Sequence, residues 1–398
     1  MTEYEVVDTP EKYHQAVDAL SSGTGPVAVD AERASGFRYS QRAYLIQMFR
    51  RDSGVFLFDP PAIGDFTELQ DAVGGVPWIL HAASQDLACL REVGLDPVTI
   101  FDTELGARLL GFPRVGLATI VEELLGIHLA KEHSAADWST RPLPQPWLTY
   151  AALDVELLVD LMEEEEKLLA DASKGTIAEQ EFSFELARAP KAARTEPWRR
   201  LSGVHSIRGL RNLAVARELW NARDDLARTK DVAPGRLLPD ASITAAARAM
   251  PASKRDLSAM KDFTGRASRT EIDRWWDAIS LGRTTDDLPV LRSTGESIPP
   301  PRAWADRNPE ANQRLRISRA ALTELAGSLH LPVENLLAPD TLRRLAWAPP
   351  EQHDAAGIAA AMQAAEARPW QIAATAETVA DSFVEADQSP VSPSDPAS

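Results

Sequence analysis

Two carboxylates stand one residue apart, directly after an apolar run near the start of the chain. Residues 25–37 read GPVAVDAERASGF, and Asp30 and Glu32 follow three consecutive apolar residues in this stretch. Side chains of a β-strand alternate between its faces, so both acids are predicted to point the same way at the end of a buried strand. Like charges held so close together are costly unless a cation neutralises them. Considered alone, such a pair more often begins a solvated loop.

Two further segments supply acids far away in the sequence. Asp86, in HAASQDLACL, is predicted to lie one turn into a helix that follows a strand. Tyr150 and Asp154, in TYAALDVELL, are four residues apart and share one face of a predicted helix. Each has an ordinary explanation: Asp86 would favour a helix N-terminus, and a Tyr-x-x-x-Asp pair on a helix is common.

Four acids gathered at one place indicate metal chemistry. Hard divalent cations such as Mg²⁺ and Mn²⁺ take oxygen ligands and need few carboxylates besides water. Two such ions about 4 Å apart can hold the attacking and the leaving oxygen of a phosphodiester. The combined order and spacing of the three segments therefore predict a site for two divalent cations.

The strands and helices that must position these residues are predicted from the periodicity of apolar residues. VAVDAE, AYLIQMF and GVFLFD predict three strands that pair as a meander, PWILHAA predicts a fourth, and helical stretches surround and follow them. No convincing strand is found after residue 190. The pattern predicts an α/β unit over 1–190, a helical bundle over 195–285, a Pro-rich linker over 286–305, a second helical region over 306–384 and a disordered tail over 385–398.

Charge is distributed unevenly along the chain. The net charge of −17 divides into −18 for residues 1–190, +9 for residues 191–270 and −8 for residues 271–398. The basic middle block predicts a segment that holds a polyanion. A single cysteine, Cys89, excludes an internal disulfide and a multi-cysteine metal site. No apolar run is long enough to span a membrane, and a cytoplasmic location is expected.

The three acidic segments resemble the motifs of a known family. VAVDAE, HAASQDL and YAALD are similar to the three motifs of the DEDD exonuclease superfamily, in the subclass with Tyr-x-x-x-Asp, and most of all to the ribonuclease D family. The resemblance implies a ribonuclease-H-like fold, a mixed sheet flanked by helices, and 3′-to-5′ hydrolysis of nucleic acid with two Mg²⁺ or Mn²⁺ ions. It implies that Asp30, Glu32 and Asp154 bind metal directly. It also implies that Asp86 supports the second ion through water and that Tyr150 positions the nucleophile.

Other polar residues near these motifs are weaker candidates. His81 is predicted to face the substrate, or to be a buried, hydrogen-bonded histidine. Trp138 and Arg141, in the DWSTRPL loop, are predicted to stack on and pair with a terminal nucleotide, with a packing role as the alternative. Asp102 is predicted to cap a helix, and the acidic run Glu163–Glu166 is predicted to be a solvated helix face.

The basic block resembles a second family. Residues 195–285 are similar to the HRDC domain, through LLPD at 237–240 and MPASKRDL at 250–257 among other features, and residues 306–384 resemble a degenerate second copy. The HRDC resemblance implies nucleic-acid binding, and the alternative is a basic face that merely offsets the acidic neighbour. The predicted basic patch consists of Arg199, Arg200, Arg208, Arg211 and Arg217.

These features together predict a 3′-to-5′ exoribonuclease. It is expected to trim structured RNA such as tRNA precursors and to release nucleoside 5′-monophosphates. RNA is the expected partner, and neither a membrane nor a protein partner is inferred. The alternatives are a DNA-directed exonuclease of the same family and a non-catalytic RNA-binding adaptor.

Overall fold

A six-stranded mixed sheet forms the centre of the N-terminal domain. The computed structural model describes residues 4–129, 135–189, 194–291 and 298–389. The sheet order is β1-β4-β3-β2-β5-β6. Strands β2, β3 and β4 pair as the predicted antiparallel meander, whereas β1, β5 and β6 each join a neighbour in parallel. The strands are β1 (Val6–Val7), β2 (Thr24–Arg33), β3 (Ala43–Arg51), β4 (Gly54–Phe58), β5 (Trp78–Leu80) and β6 (Ile100–Asp102).

Nine helices within the described residues 4–129 and 135–189 flank this sheet and confirm the predicted α/β class. The residues from Gln145 to Asp171 form two helices that meet at Leu157. The helices are α1 (Pro10–Ser22), α2 (Pro60–Ile63), α3 (Thr67–Val73), α4 (Leu87–Glu92), α5 (Thr103–Leu109), α6 (Leu117–Leu125), α7 (Gln145–Glu156), α8 (Leu158–Asp171) and α9 (Gly175–Ala187).

The basic block is a helical bundle, as predicted. Its long helix α10 packs against α12 and α15 around a core that contains Leu219, Phe263 and Trp275. The helices are α10 (Leu210–Lys230), α11 (Pro234–Leu237), α12 (Asp240–Ala249), α13 (Lys254–Ala259), α14 (Arg266–Thr270) and α15 (Ile272–Thr284).

The bundle docks on the loop that leaves β2. The Asp231 carboxylate accepts hydrogen bonds from the Ser40 amide (2.9 Å) and the Tyr44 hydroxyl (3.1 Å). The Tyr39 hydroxyl donates to Asp224 on α10 at 3.1 Å. The loop directly after the two carboxylates of β2 is therefore held by a neighbouring domain.

The C-terminal helices share one hydrophobic cluster with the N-terminal domain. Arg368 donates to both carboxylate oxygens of Glu181 on α9, at 2.6 and 2.8 Å, and the Trp370 indole donates to the same carboxylate at 2.6 Å. The helices are α16 (Trp304–Arg307), α17 (Pro309–Ser328), α18 (Val333–Leu336), α19 (Pro339–Trp347), α20 (Ala355–Ala364) and α21 (Pro369–Gln388).

One prediction about the C-terminal part needs correction, and parts of two predicted segments lie outside the described residues. The tail predicted to be disordered from 385 begins inside α21, which continues to Gln388 because its apolar face stays buried through Ala386. Residues 390–398, and 292–297 of the predicted linker, lie outside the described residues. No helix in the described part of the chain is both long and apolar enough to cross a membrane.

Candidate active site

Three carboxylates converge at the end of the central strand β2. Asp30 and Glu32 lie near its C-terminal end, where alternation places them on one face, and Asp154 comes from α7, which packs across β2, β3 and β4. One carboxylate oxygen from each of the three lies within 4.8 Å of the others. The convergence predicted from the sequence is therefore present for these three residues.

Asp86 approaches the same place from the neighbouring strand. Because β5 pairs in parallel with β2, the segments that follow the two strands leave the sheet at the same edge. Asp86 is the N-cap residue of α4 and not one turn into a helix, which corrects that prediction; it stands at a helix N-terminus, but its side chain accepts no hydrogen bond from the backbone amides of that helix. Its carboxyl group is buried and lies outside the group of three.

Asp102 holds the segment that carries Asp86. It caps α5 as predicted, accepting from the amides of Glu104 and Leu105. The same carboxylate also accepts from the amides of Ala82 (3.0 Å) and Ala83 (2.8 Å). Ala82 has a φ of 63°, a left-handed conformation that costs a non-glycine residue about 1 kcal/mol. The bonds to Asp102 therefore stabilise a strained turn directly before Asp86.

Tyr150 lies beside the carboxylates on the same helix as Asp154. The two side chains are hydrogen-bonded, and burial followed by the negative charge of Asp154 raises the pKa of the Tyr150 phenol. Trp138 packs near its ring, with ring centroids 6.4 Å apart. The phenol is thus neutral and fixed in place, so it can orient a water molecule but not remove a proton from it.

Burial and mutual repulsion both act on the acids of this site. Burial, followed by the charges of Asp30, Asp154 and Asp86, raises the pKa of Glu32 to about 10. Burial and then Asp30 raise the pKa of Asp154 to about 8. Burial is also the main reason why the pKa values of Asp30 and Asp86 are raised. A cluster that resists ionisation by itself fits a cation that would replace its protons.

The acids open into a cavity of about 570 Å³. The three residues whose ligand atoms lie close together, Asp30, Glu32 and Asp154, offer carboxylate oxygens, the ligand type that Mg²⁺ and Mn²⁺ prefer. The arrangement therefore fits divalent metal ions. The cavity is also lined by residues that the sequence analysis did not single out, and these include Arg33, Ser35, Gln85 and the N-terminal turn of α6 at Gly116–Thr119. Their positions depend on a strand bulge and on loop paths, which periodicity does not reveal.

Of the three weaker candidates, His81, Trp138 and Arg141, only His81 lines the cavity. His81 lines the cavity, and its Nδ1 is 2.8 Å from the Thr103 hydroxyl, so it is a hydrogen-bonded histidine that also faces the site. Burial lowers its pKa to about 4, so the imidazole is neutral at physiological pH. Trp138 is completely buried against Trp147 and cannot stack on a nucleotide, which corrects that prediction.

Arg141 is also a structural residue. Its guanidinium donates to both carboxylate oxygens of Asp59, at 2.6 and 2.8 Å, and to the carbonyls of Tyr44 and Trp138. These bonds use its donors and tie the DWSTRPL loop to the sheet. Arg141 does not line the cavity, so the predicted pairing with a nucleotide phosphate is not supported.

The predicted basic patch is smaller than expected. Three of its five arginines are committed to protein acceptors: Arg199 pairs with Glu196, Arg211 bonds the Thr285 carbonyl, and Arg217 pairs with Glu218. The contact of Arg211 joins α10 to the residue after α15, whereas the two ion pairs are local. The remaining two members, Arg200 and Arg208, are exposed.

The expectation that the acidic run Glu163–Glu166 is a solvated helix face is wrong for Glu165. It is completely buried, and neither carboxylate oxygen has a hydrogen-bond partner among the described residues. It packs against Gly106 of α5, which leaves room for it only because glycine has no side chain. Burial, followed by the charge of Asp102, raises the pKa of Glu165 to about 9.

Comparison with known proteins agrees with this architecture. A 3′-5′ exonuclease family matches residues 4–170, the HRDC domain family matches residues 212–279, and the 3′ to 5′ exonuclease C-terminal domain family matches residues 297–383. That the last region is a degenerate second HRDC copy stays a prediction.

Individual relatives extend the comparison. The chain is 30% identical over 308 residues to ribonuclease D of Pseudomonas paraeruginosa, an alignment that covers 72% of this chain and 80% of the relative. A crystal structure of a protein from Bifidobacterium adolescentis matches with a TM-score of 0.89 at 35% identity, covering 96% of this chain and 99% of that one. The crystal structure of Escherichia coli RNase D, described as an exoribonuclease involved in structured RNA processing, shares the fold with a TM-score of 0.67 at 24% identity, covering 87% of this chain and 90% of that one.

A mixed sheet with an acidic cluster at the end of its central strand, together with the matched exonuclease and HRDC domains, defines the class as a 3′–5′ exonuclease. The similarity to ribonuclease D of Pseudomonas paraeruginosa identifies the family within this class. The chain belongs to the ribonuclease D family and is a 3′–5′ exoribonuclease.

Proposed function

We propose that this exoribonuclease trims the 3′ ends of structured RNA, with tRNA precursors as its substrate class, and releases nucleoside 5′-monophosphates. The cofactors proposed are two divalent cations, Mg²⁺ or Mn²⁺, and the expected location is the cytoplasm. The observation that carries the proposal is the approach of Asp30, Glu32 and Asp154 to within 4.8 Å of one another at the base of an open cavity. Structured RNA is supported by the similarity to Escherichia coli RNase D, an exoribonuclease involved in structured RNA processing.

The proposed roles follow from position and protonation. Asp30, Glu32 and Asp154 hold the cations directly, and Asp86, buried beside them, supports the second ion through water. When bound, two divalent cations activate the attacking water and neutralise charge on the leaving oxygen. Tyr150 keeps its proton and orients that water through its hydroxyl group, while its bond to Asp154 fixes the phenol.

The site assignment is tested by an isosteric substitution with a matched control. Asp154→Asn removes a ligand charge, and we expect hydrolysis of a 3′-hydroxyl oligoribonucleotide to fall at least about a hundred-fold, since a metal ligand contributes several kcal/mol of charge stabilisation. The control is Asp160→Asn, on an exposed carboxylate of α8 that pairs with Arg51. Equal activity of Asp154→Asn and the control would reject the assignment.

The substrate class is tested by direct competition. The full-length protein would be given 3′-extended tRNA, single-stranded RNA and single-stranded DNA with Mg²⁺ or Mn²⁺, and the products would be identified. Preferred shortening of the tRNA extension to 5′-monophosphates supports the proposal. Preferred digestion of DNA would favour the DNA-directed alternative, and binding without metal-dependent cleavage would favour the non-catalytic adaptor.

We also propose that the HRDC bundle holds the body of the RNA through its exposed cations. Deleting everything after residue 195 is an unsuitable test, because the C-terminal helices share a hydrophobic cluster with the exonuclease domain. The double variant Arg200→Gln/Arg208→Gln keeps that core. Its slope of log affinity against log salt should be smaller by roughly 1.4, the value for two phosphate contacts on a single strand. An unchanged slope would contradict RNA binding by these residues.

A further inference from the structure

The residue that follows Glu32 at the end of β2 is a cation that lines the acidic cavity. Pairing of β2 with β3 runs regularly from Val27↔Arg50 to Glu32↔Leu45 and then shifts, so that Arg33 pairs with Ala43 and Tyr44 of β3 is the extra residue of a bulge. Glu32 and Arg33 both line the cavity. The Arg33 guanidinium lies 3.9 Å from the carboxylate of Asp86, which lines the cavity as well. The end of β2 therefore places a guanidinium group beside carboxylates of the described cavity lining.

The donors of Arg33 are not committed to protein in the way that those of Arg141 are. Its closest ion-pair contact is from Nη2 to Asp86 Oδ1 at 3.9 Å, which is longer than a hydrogen bond. Arg141, by contrast, makes two short bonds to Asp59 and further bonds to carbonyl groups. About a quarter of the Arg33 side chain, 27%, is exposed, and that exposure faces the cavity. Within the described part of the chain the Arg33 guanidinium has no hydrogen-bond partner, so the group is held near the acids with its donors available.

An acidic cavity that receives RNA needs a compensating charge. When the carboxylates of this cavity ionise to hold cations, any negative charge that the cations leave unneutralised repels the phosphates of the incoming strand. A guanidinium group presents two parallel donors that match the oxygens of a phosphate, and such charge-assisted bonds are among the stronger polar contacts in proteins. Arg33 is the one arginine or lysine among the described residues that line the cavity.

We propose that Arg33 is a substrate-binding residue that pairs with a phosphate near the 3′ end of the bound RNA, exchanging its long contact with Asp86 for this anion. The inference rests on the proposed function, because it takes the cavity to be where the RNA end binds. The competing explanation is that Arg33 only balances the charge of the acids. The two explanations differ in what happens to RNA binding when the charge is removed.

The test uses three full-length variants. Arg33→Gln removes the charge at nearly constant size, Arg33→Lys keeps the charge but loses the planar fork, and Arg344→Gln removes an equal charge from an exposed pair with Asp340 on α19. Turnover of a short single-stranded oligoribonucleotide is measured with Mg²⁺. Its equilibrium binding is measured over a range of salt with Ca²⁺ in place of Mg²⁺, and Mn²⁺ binding is measured without RNA.

Arg33→Gln should raise KM, and weaken equilibrium binding, by about ten-fold to a hundred-fold, as expected for loss of a charge-assisted hydrogen bond. Its salt slope should be smaller by about 0.7, the value for one phosphate on a single strand. Arg33→Lys should keep the wild-type slope, and Arg344→Gln should behave as wild type. Mn²⁺ should bind Arg33→Gln at least as tightly as wild type, because a repelling charge is gone.

Unchanged KM and salt slope in Arg33→Gln, with tighter Mn²⁺ binding, would overturn the proposal and leave Arg33 as a counter-charge. A fall in kcat alone would overturn it as well, because no phosphate contact would then exist in the bound ground state. Failure of the proposed function is separable from these results. A wild-type protein that bound the oligonucleotide without cleaving it would reject the proposed reaction, while the binding difference at Arg33 would still decide the contact.

Discussion

Replacing Glu165 by glutamine should stabilise the protein at neutral pH and have little effect in acid. Glu165 is completely buried, neither of its oxygens is hydrogen-bonded within the described residues, and its pKa is raised from 4.5 to about 9. In the unfolded chain it is ionised at pH 7, so folding must protonate it. The penalty is about 3 kcal/mol at pH 7, from 2.5 pKa units at about 1.36 kcal/mol each.

The sign follows from the direction of the shift. A carboxyl group whose folded-state pKa is raised costs nothing below its unfolded pKa and destabilises progressively as pH rises toward the folded value. Glutamine has nearly the same size and carries no charge at any pH. The variant should therefore be more stable than wild type by about 3 kcal/mol near pH 7, and by less than about 1 kcal/mol near pH 5.

Urea denaturation at these two pH values measures the difference directly. Comparing the two proteins at each pH cancels the contribution of the other buried acids, which are present in both. Glu164→Gln is the matched control, since this neighbouring carboxylate is about half exposed and pairs with Lys167. An equal gain at both pH values, or no gain near pH 7, would show that Glu165 is ionised in the folded protein.

Three other predictions concern the site and the domain contact. Tyr150→Phe should reduce kcat at least about ten-fold while leaving Mn²⁺ affinity close to wild type, because the hydroxyl orients water and binds no ion; wild-type turnover would exclude that role. Mn²⁺ should raise the melting temperature more at pH 8 than at pH 6, since it must displace protons from Glu32 and Asp154, whose pKa values are raised; a shift independent of pH would contradict this. Glycine tolerates the positive φ of 46° at position 231, so Asp231→Gly removes the carboxylate without straining the backbone. This variant should speed hydrogen exchange at the Ser40 amide at least about ten-fold. Unchanged exchange would mean that the HRDC bundle does not hold this loop.

Several features of the site could be anticipated because they depend on local periodicity. The alternation of a strand places Asp30 and Glu32 on one face, and the helical repeat places Tyr150 and Asp154 on another. Asp102 was predicted as a helix cap from its position before a helix. That prediction is confirmed, although the sequence held no sign that the same carboxylate also accepts from Ala82 and Ala83.

The errors have a common physical origin. Trp138 and Arg141 have the chemistry of nucleotide-binding residues, but their surroundings commit one to the core and the other to Asp59. Arg199, Arg211 and Arg217 likewise donate to carbonyl groups far away in the sequence, those of Val290, Thr285 and Asp287. The type of a side chain is known from the sequence, whereas its partners are not.

Periodicity was sufficient to predict the α/β and helical parts of the chain and the pairing of acids within each motif, because these depend on local geometry, and the resemblance of the motifs to a known family predicted the class of enzyme. Long-range contacts were decided only by tertiary folding. The parallel pairing of β5 with β2 brings Asp86 to the acids and beside Arg33, and the small space beside Gly106 buries Glu165. Each depends on which surfaces meet when the chain closes on itself, and no short stretch of sequence contains that information.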